Sequence, residues 1–215
     1  MIAPVDLTGV ILAGGLATRM RASLASVPIG FQSDGAEPVE KGLLILQGET
    51  LADRARRFLD PQVSRVLISA NRQAERYAAY GHVVPDAPEY GDNAGPLAGV
   101  ASALAHVATP WMAVIPVDVP LLPRDLLQRL GEATRDEGVG LAYASDSEGG
   151  IHPLCMLVHR DLLDDLRSYL LGGGRKVRLW HARQHGRLVQ FDGPTDQFLN
   201  VNTAEDLERA ERALG

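Results

Sequence analysis

The chain has 215 residues, a length that suits one large domain or two small ones. Its 21 lysines and arginines against 27 aspartates and glutamates give a net charge of −6, which argues against a nucleic-acid-binding protein because such proteins carry a basic surface. Cys155 is the only cysteine, so no intramolecular disulfide can form, and no apolar run is long enough to cross a bilayer. Because its N-terminus also lacks a signal-peptide pattern, we expect a cytoplasmic protein with no nucleic-acid or membrane partner.

Apolar runs of strand length alternate with amphipathic stretches of helical period along the chain. In chain order, the pattern predicts a strand at 7–13, a helix at 50–59, a strand at 65–70, a helix at 73–80, a strand at 82–85, a helix at 95–107, a strand at 111–117, a helix at 123–134, strands at 140–144 and 153–158, and helices at 161–171 and 203–214. This alternation indicates a three-layer α/β fold, in which a mostly parallel sheet has helices on both faces. No internal repeat or linker interrupts it, so residues 1–215 are expected to form a single domain.

Two segments of the chain lack the periodicity of strands and helices, and the last helix begins with a capping motif. Residues 21–39 are rich in serine, glycine, alanine and proline and predict a flexible loop, and residues 171–176 predict a flexible turn. The last helix opens with a variant capping box, in which Thr203 is followed three residues later by Asp206. Sheets of this kind bind ligands at the carboxyl ends of their strands, so residues directly after the predicted strands are the candidate site residues.

Gly14 and Gly15 directly follow the first predicted strand, which suits a loop whose amides approach a phosphate chain. The chain has neither a Walker A motif nor a dinucleotide fingerprint, so a simple tight turn explains the two glycines at least as well. Arg19 and Lys41 are the cations best placed to meet phosphate oxygens at this loop. Taken alone, each of them is more often a solvated surface charge.

Asp118 follows the most apolar predicted strand, a position that suits Mg²⁺, which takes one or two carboxylates together with phosphates and water. A turn or helix-capping role is the alternative, with equal weight, and Asp86 invites the same comparison. His152, beside Pro153, is better explained as a residue at the start of a strand. With no zinc-ligand spacing and no nucleophile elbow, the residues together indicate a phosphate-handling α/β protein with a magnesium-binding carboxylate.

An ordered series of motifs covers nearly the whole chain. In sequence letters, they are LAGGLATRM at 12–20, EKGLL at 40–44, SANR at 69–72, D at 86, GPLAG at 95–99, PVDVP at 116–120, HP at 152–153 and NVNT at 200–203. This series resembles the molybdenum cofactor guanylyltransferases of the MobA type, which are nucleotidyltransferases with a Rossmann-like sheet. The resemblance implies transfer of GMP from GTP to molybdenum-molybdopterin, with pyrophosphate released.

The resemblance also implies which residues contact the nucleotide. Lys41 and Arg19 would be catalytic as phosphate-binding cations, and Asp118 would be catalytic through the Mg²⁺ that it binds. The residues expected at the nucleotide are Leu12, Ala13, Gly14, Gly15, Lys41, Ser69, Asn71, Asp86 and Asp118.

For the second substrate, the resemblance places Arg175, Lys176, Asn200 and Asn202 at the pterin, with the two asparagines near the metal or the pterin phosphate. The implied small-molecule partners are GTP and molybdenum-molybdopterin. Implied protein partners are the molybdenum-insertion proteins and the recipient molybdoenzymes or their chaperones.

The chain departs from the family pattern at two points. Residues 21–39 separate the first two motifs, as a lid over the nucleotide or as an inert insertion, and the second motif reads Glu-Lys where Asp-Lys is usual. Ser69 stands where an asparagine is common.

Two alternative functions remain open from the sequence. A molybdenum cofactor cytidylyltransferase is one, although Gly14 favours guanine because that relative tends to carry alanine there. A non-catalytic nucleotide-binding homologue is the other, and the presence of Asp118 argues against it.

Overall fold

Strands at the centre of the computed structural model form one mixed sheet; the structure describes residues 2–14, 40–92 and 94–215. Within that part of the chain, the seven strands of the sheet are β1 (Leu7–Leu12), β4 (Arg65–Ser69), β5 (His82–Val84), β6 (Trp111–Pro116), β7 (Leu141–Asp146), β8 (Ile151–His159) and β9 (Arg187–Phe191). A separate small hairpin consists of β2 (Ile45–Leu46) and β3 (Glu49–Thr50). The order across the sheet is β5-β4-β1-β6-β8-β7-β9.

The strand directions confirm the predicted mostly parallel sheet and add one reversal. β1 pairs in parallel with β4 and β6, β4 with β5, and β7 with β9. β8 is antiparallel to both of its neighbours, β6 and β7. The reversal follows from the short connection between β7 and β8, because so few residues can return the chain only as a hairpin. Asp146 closes that turn by accepting the N–H groups of Glu148 and Gly150.

Helices cover both faces of the sheet, as predicted. They are α1 (Leu51–Leu59), α2 (Ala74–Tyr77), α3 (Pro96–Leu104), α4 (Leu126–Ala133), α5 (Leu163–Leu171), α6 (Val177–Arg183) and α7 (Ala204–Leu214). Alternate side chains of β1 enter two separate cores because they point to opposite faces. Ile11 packs in the core that α1, α4 and α7 complete, and Val10 in the core of α3, α5 and α6. None of the helices in the described ranges is long and apolar enough to span a membrane.

The sequence pattern missed α6, β9 and the β2–β3 hairpin. α6 buries only Trp180 and His181, and β9 is an edge strand that buries only Phe191. Elements that bury so few residues leave little apolar periodicity to detect. The predicted loop at 21–39 lies outside the described residues.

The capping box predicted for the last helix is confirmed. The Thr203 hydroxyl accepts the Asp206 N–H, and the Asp206 carboxylate accepts the Thr203 N–H. The chain connections reverse direction beside β1, since the chain continues to β4 and β5 on one side and to β6 on the other. The carboxyl ends of these strands therefore form the crevice in which such sheets bind ligands.

Candidate active site

A cavity of about 390 Å³ opens at the carboxyl ends of β1, β4 and β6. Its lining residues are Leu12, Gly14, Lys41, Ser69, Asn71, Arg72, Asp86, Ala94, Gly95, Pro96, Gly99, Pro116, Val117, Asp118 and Leu154. Most of the residues expected at the nucleotide are thus brought together. Ala13 is not among them: it is buried, and its N–H extends the sheet by donating to the Ser69 carbonyl at 2.9 Å. Gly15 and Arg19 lie outside the described residues.

Lys41 connects two polar groups at one side of this cavity. Its Nζ donates to Oδ2 of Asp118 at 2.7 Å and to Oδ1 of Asn202 at 2.5 Å. The Lys41 and Asp118 side chains are only 11% and 16% exposed. A lysine side chain this buried is stable in its charged form only beside an anion, and Asp118 is that anion.

The backbone holds Asp118 and Asn202 next to each other. The Val201 N–H donates to the Asp118 carbonyl at 2.7 Å, and the Asn202 N–H donates to the Asp206 carboxylate at 2.9 Å. Asn202 also donates through its side chain to Oδ1 of Asn200 at 2.7 Å. The capping box of α7 therefore orients the segment that carries both asparagines. Neither asparagine lines the cavity itself, and Asn202 reaches it only through its bond to Lys41.

Asp86 lies on the lining of the same cavity and is fixed by Asn71. Nδ2 of Asn71 donates to Oδ2 of Asp86 at 2.9 Å, and Oδ1 of Asn71 accepts the Asp86 N–H at 2.7 Å. Gly99 packs directly behind them, since a Cβ there would clash with the Ser69 hydroxyl and lie 3.3 Å from Oδ1 of Asp86. Asn71 thus orients Asp86, and Gly99 is needed for the close approach of α3.

Sequence reasoning did not single out the ion pair between Glu40 and Arg72. Nε of Arg72 donates to Oε1 of Glu40 at 2.8 Å, and the Glu40 side chain is 3% exposed. Both residues stand inside quoted motifs, next to Lys41 and Asn71 respectively. Their positions beside predicted site residues were the only sign of their importance in the sequence. That they pair with each other depends on the fold.

Arg175 and Lys176, expected at the pterin, lie in the turn between α5 and α6. The Arg175 guanidinium donates to the backbone carbonyls of Leu170, Gly174 and Tyr90 at 2.6, 2.7 and 3.3 Å. These three hydrogen bonds stabilise the turn. The turn reaches the cavity rim through its backbone, because a Cβ on Gly95 would lie 4.0 Å from the Arg175 carbonyl oxygen.

His152 is the second residue of β8, in agreement with the interpretation from sequence. Its Nε2 bonds to Oδ2 of Asp146 at 2.9 Å, and this hydrogen bond holds the pKa of the Asp146 carboxyl below its usual value. The His152 ring stacks on Phe198, with 4.3 Å between centroids. Phe198 lies two residues before Asn200, so the contact supports the segment that carries both asparagines.

Two oxygen atoms beside Lys41 are of the chemical kind that binds Mg²⁺. In the described part of the chain, no group of three or more histidine, cysteine or acidic residues could hold a metal ion by itself. Oδ2 of Asp118 and Oδ1 of Asn202 nevertheless converge on one positive centre, the Lys41 ammonium. Two such oxygens, completed by substrate phosphates and water, form the donor set that Mg²⁺ prefers.

Comparison with known proteins identifies the family. The model of the MobA-like NTP transferase domain matches residues 9–187. A molybdenum cofactor guanylyltransferase of Cupriavidus necator is 37% identical over 219 residues, covering 98% of this chain and 99% of that protein. One from a Shewanella species is 36% identical over 204 residues, covering 95% of this chain and 94% of that protein.

Solved structures share the fold. Molybdopterin-guanine dinucleotide biosynthesis protein A of Archaeoglobus fulgidus superposes with a TM-score of 0.69 at 22% identity, covering 96% of this chain and 98% of that one. A Mycobacterium tuberculosis protein solved in complex with manganese has a TM-score of 0.65 at 18% identity, covering 97% of this chain and 100% of that one. With a family model over most of its length and relatives above one-third identity along nearly all of it, the chain belongs to the MobA-like NTP transferases.

Proposed function

We propose that this chain is a molybdenum cofactor guanylyltransferase, which transfers GMP from GTP to molybdenum-molybdopterin and releases pyrophosphate. Relatives of nearly equal length, 36% and 37% identical, carry that name. The structural observation that carries the proposal is the cavity itself. One cavity is lined both by Asp86, which suits the base, and by the Lys41–Asp118 pair, which suits the phosphates.

The carboxylate of Asp86 favours guanine over cytosine and adenine. Guanine presents two adjacent N–H donors on its pairing edge, whereas cytosine and adenine each present a ring acceptor there. A carboxylate only accepts hydrogen bonds, so it matches guanine and opposes the other two. Gly14 lines the same cavity, and a Cβ there would meet no atom of the described residues within 4 Å.

The phosphate side of the cavity suits an in-line transfer without a covalent intermediate. An oxygen of the pterin's terminal phosphate attacks the α-phosphorus of GTP, and the bond to the departing pyrophosphate breaks. Lys41 donates to the phosphate oxygens and neutralises their developing charge, which is most of the catalytic task in such reactions. Asp118 and Asn202 would hold Mg²⁺, which supplies Lewis-acid stabilisation of phosphate oxygens when bound.

The remaining contacts are assigned from the family likeness. Asn200 and the turn of Arg175 and Lys176 lie on the pterin side of the proposed site, and Gly15 and Arg19 belong to the nucleotide loop. The proposed protein partners are the molybdenum-insertion proteins and the recipient molybdoenzymes or their chaperones, and the proposed compartment is the cytoplasm.

Thermal unfolding in the presence of nucleotides tests the proposal first. We expect GTP with Mg²⁺ to raise the melting temperature more than CTP or ATP, because Asp86 matches the donors of guanine. A ligand at 100 times its dissociation constant stabilises the folded protein by about 2.7 kcal/mol, which thermal unfolding can detect. Pyrophosphate release with molybdenum-molybdopterin should then depend on GTP and Mg²⁺. Preference for CTP would indicate the cytidylyltransferase, and GTP binding without pyrophosphate release would indicate a non-catalytic homologue.

A further inference from the structure

The ion pair of Glu40 and Arg72 lies at the rim of the cavity, on the side of Lys41. Glu40 directly precedes Lys41 in the chain, and Arg72 directly follows Asn71. Arg72 lines the cavity, whereas Glu40 does not. The ion pair therefore connects two segments of the chain, one containing Lys41 and the other containing Asn71.

The two partners are exposed to very different extents. The Glu40 side chain is 3% exposed and the Arg72 side chain 42% exposed. Glu40 is thus a buried carboxylate beneath an accessible guanidinium, and a buried carboxylate is stable only when it is paired. Seen from the cavity, the positive end of the pair is the one that a ligand meets.

Most of the hydrogen-bonding capacity of Arg72 is not used by the residues that the structure describes. Within the described part of the chain, Glu40 is the hydrogen-bond partner of the guanidinium, and it uses only Nε. A guanidinium has five N–H donors, so four remain on the two terminal nitrogens. Their fork geometry matches two oxygens of one phosphate group.

We propose that Arg72 binds the phosphate chain of the nucleotide and that Glu40 is the residue that positions it. The inference rests on the proposed function, because it assumes a nucleoside triphosphate in the cavity. It adds a cation from the segment after β4 to the one that Lys41 supplies. Since Lys41 is paired with Asp118, a second cation improves the charge match to a triphosphate.

The test is to measure how the Arg72→Gln variant binds guanosine, GMP, GDP and GTP by calorimetry with Mg²⁺ present. Guanosine affinity should stay within about twofold of the wild type, whereas GTP affinity should fall about tenfold or more, as for a lost charged hydrogen bond. The first ligand in the series to lose affinity identifies the phosphate that Arg72 contacts. Arg76→Gln is the matched control, because Arg76 is an exposed arginine of α2 outside the cavity lining.

Two further variants keep the test decisive if Arg72→Gln folds poorly. Arg72→Lys retains the positive charge but not the fork, and should lose part of the GTP affinity. Glu40→Gln retains an oxygen acceptor for Nε, and should show a smaller loss with the same dependence on phosphates. Equal weakening of guanosine and GTP by these variants, or no weakening at all, would overturn the inference.

A failure of this inference can be distinguished from a failure of the proposed function. A wild-type protein that preferred CTP would contradict the guanylyltransferase, yet a phosphate contact does not depend on the base. The same series with cytidine and its phosphates would then test Arg72 in the same way.

Discussion

At the scale of single residues, Lys41 links two polar side chains that are far apart in the sequence. Its ammonium joins Asp118, two residues after β6, to Asn202, which precedes α7. The motifs allowed Lys41, Ser69 and Asp118 to be chosen from sequence, and the structure places them on one cavity. The Glu40–Arg72 contact could not be chosen in that way, because it joins positions 32 residues apart and follows no periodicity.

We predict that Lys41→Met lowers the rate of GMP transfer by on the order of 100-fold or more, the usual effect of removing one donor to developing charge. Stability should fall by only about 1–2 kcal/mol, since methionine keeps the apolar stem and Asp118 retains access to water. Single-turnover kinetics and thermal unfolding measure the two effects. Arg57→Met, which removes an exposed charge of α1, is the control, and full activity of Lys41→Met would refute the role of the lysine.

At the scale of elements, apolar periodicity was sufficient where an element buries a full face and failed elsewhere. β1 and β6 are buried almost throughout and were predicted, whereas β9 and α6 bury one and two residues and were missed. The direction of β8 also escaped the sequence, because it depends on the hairpin after Asp146 rather than on composition. The loops between strands determine the strand directions, and such loops contain too few apolar residues to show a hydrophobic pattern.

The capping box of α7 couples helix stability to the site. Burial opposes ionisation of Asp206, but hydrogen bonds from Asn202 and Thr203 outweigh it and hold the pKa of this carboxyl below its usual value. We predict that Asp206→Ala lowers stability by about 1 kcal/mol, as for a lost helix cap. Transfer activity should fall by about tenfold, because Asp206 orients Asn202, a proposed Mg²⁺ ligand.

The other capping box of the fold supplies a matched control. Asp53 plays the same part with Thr50 at the start of α1, and it has no bond to the Asn202 segment. Asp53→Ala should therefore lower the melting temperature by a similar amount and leave transfer activity unchanged. Equal loss of activity in the two variants would show that α7 acts on the site only through global stability.

At the scale of the whole molecule, one buried histidine makes stability depend on pH. His181 of α6 is 1% exposed, and neither ring nitrogen has a hydrogen-bond partner in the described part of the chain. Its ring packs against Tyr143, with 4.3 Å between centroids. Burial lowers the pKa of His181 to about 4, from its ordinary value of 6.5.

The sign of the pH effect follows from which state binds the proton. Between pH 6.5 and pH 4 the unfolded chain takes up a proton at His181 and the folded chain does not, so stability falls as pH falls, by up to about 1.4 kcal/mol per pH unit. His181→Phe should flatten this part of the profile in urea unfolding. His82→Phe, at an exposed histidine of β5, should not; identical slopes for all three proteins would contradict the assignment.

The bond from Lys41 to Asn202 spans 161 positions of the chain, and the bond to Asp118 spans 77. During synthesis, the segment before β6 therefore exists for most of the time without the groups that complete it. A nascent chain cannot retain GTP through these contacts until the residues of α7 have been made and docked. A chain that ends just before Asn202 would thus contain every strand of the sheet but lack one of the two partners of Lys41, and under the proposed function it would not transfer GMP.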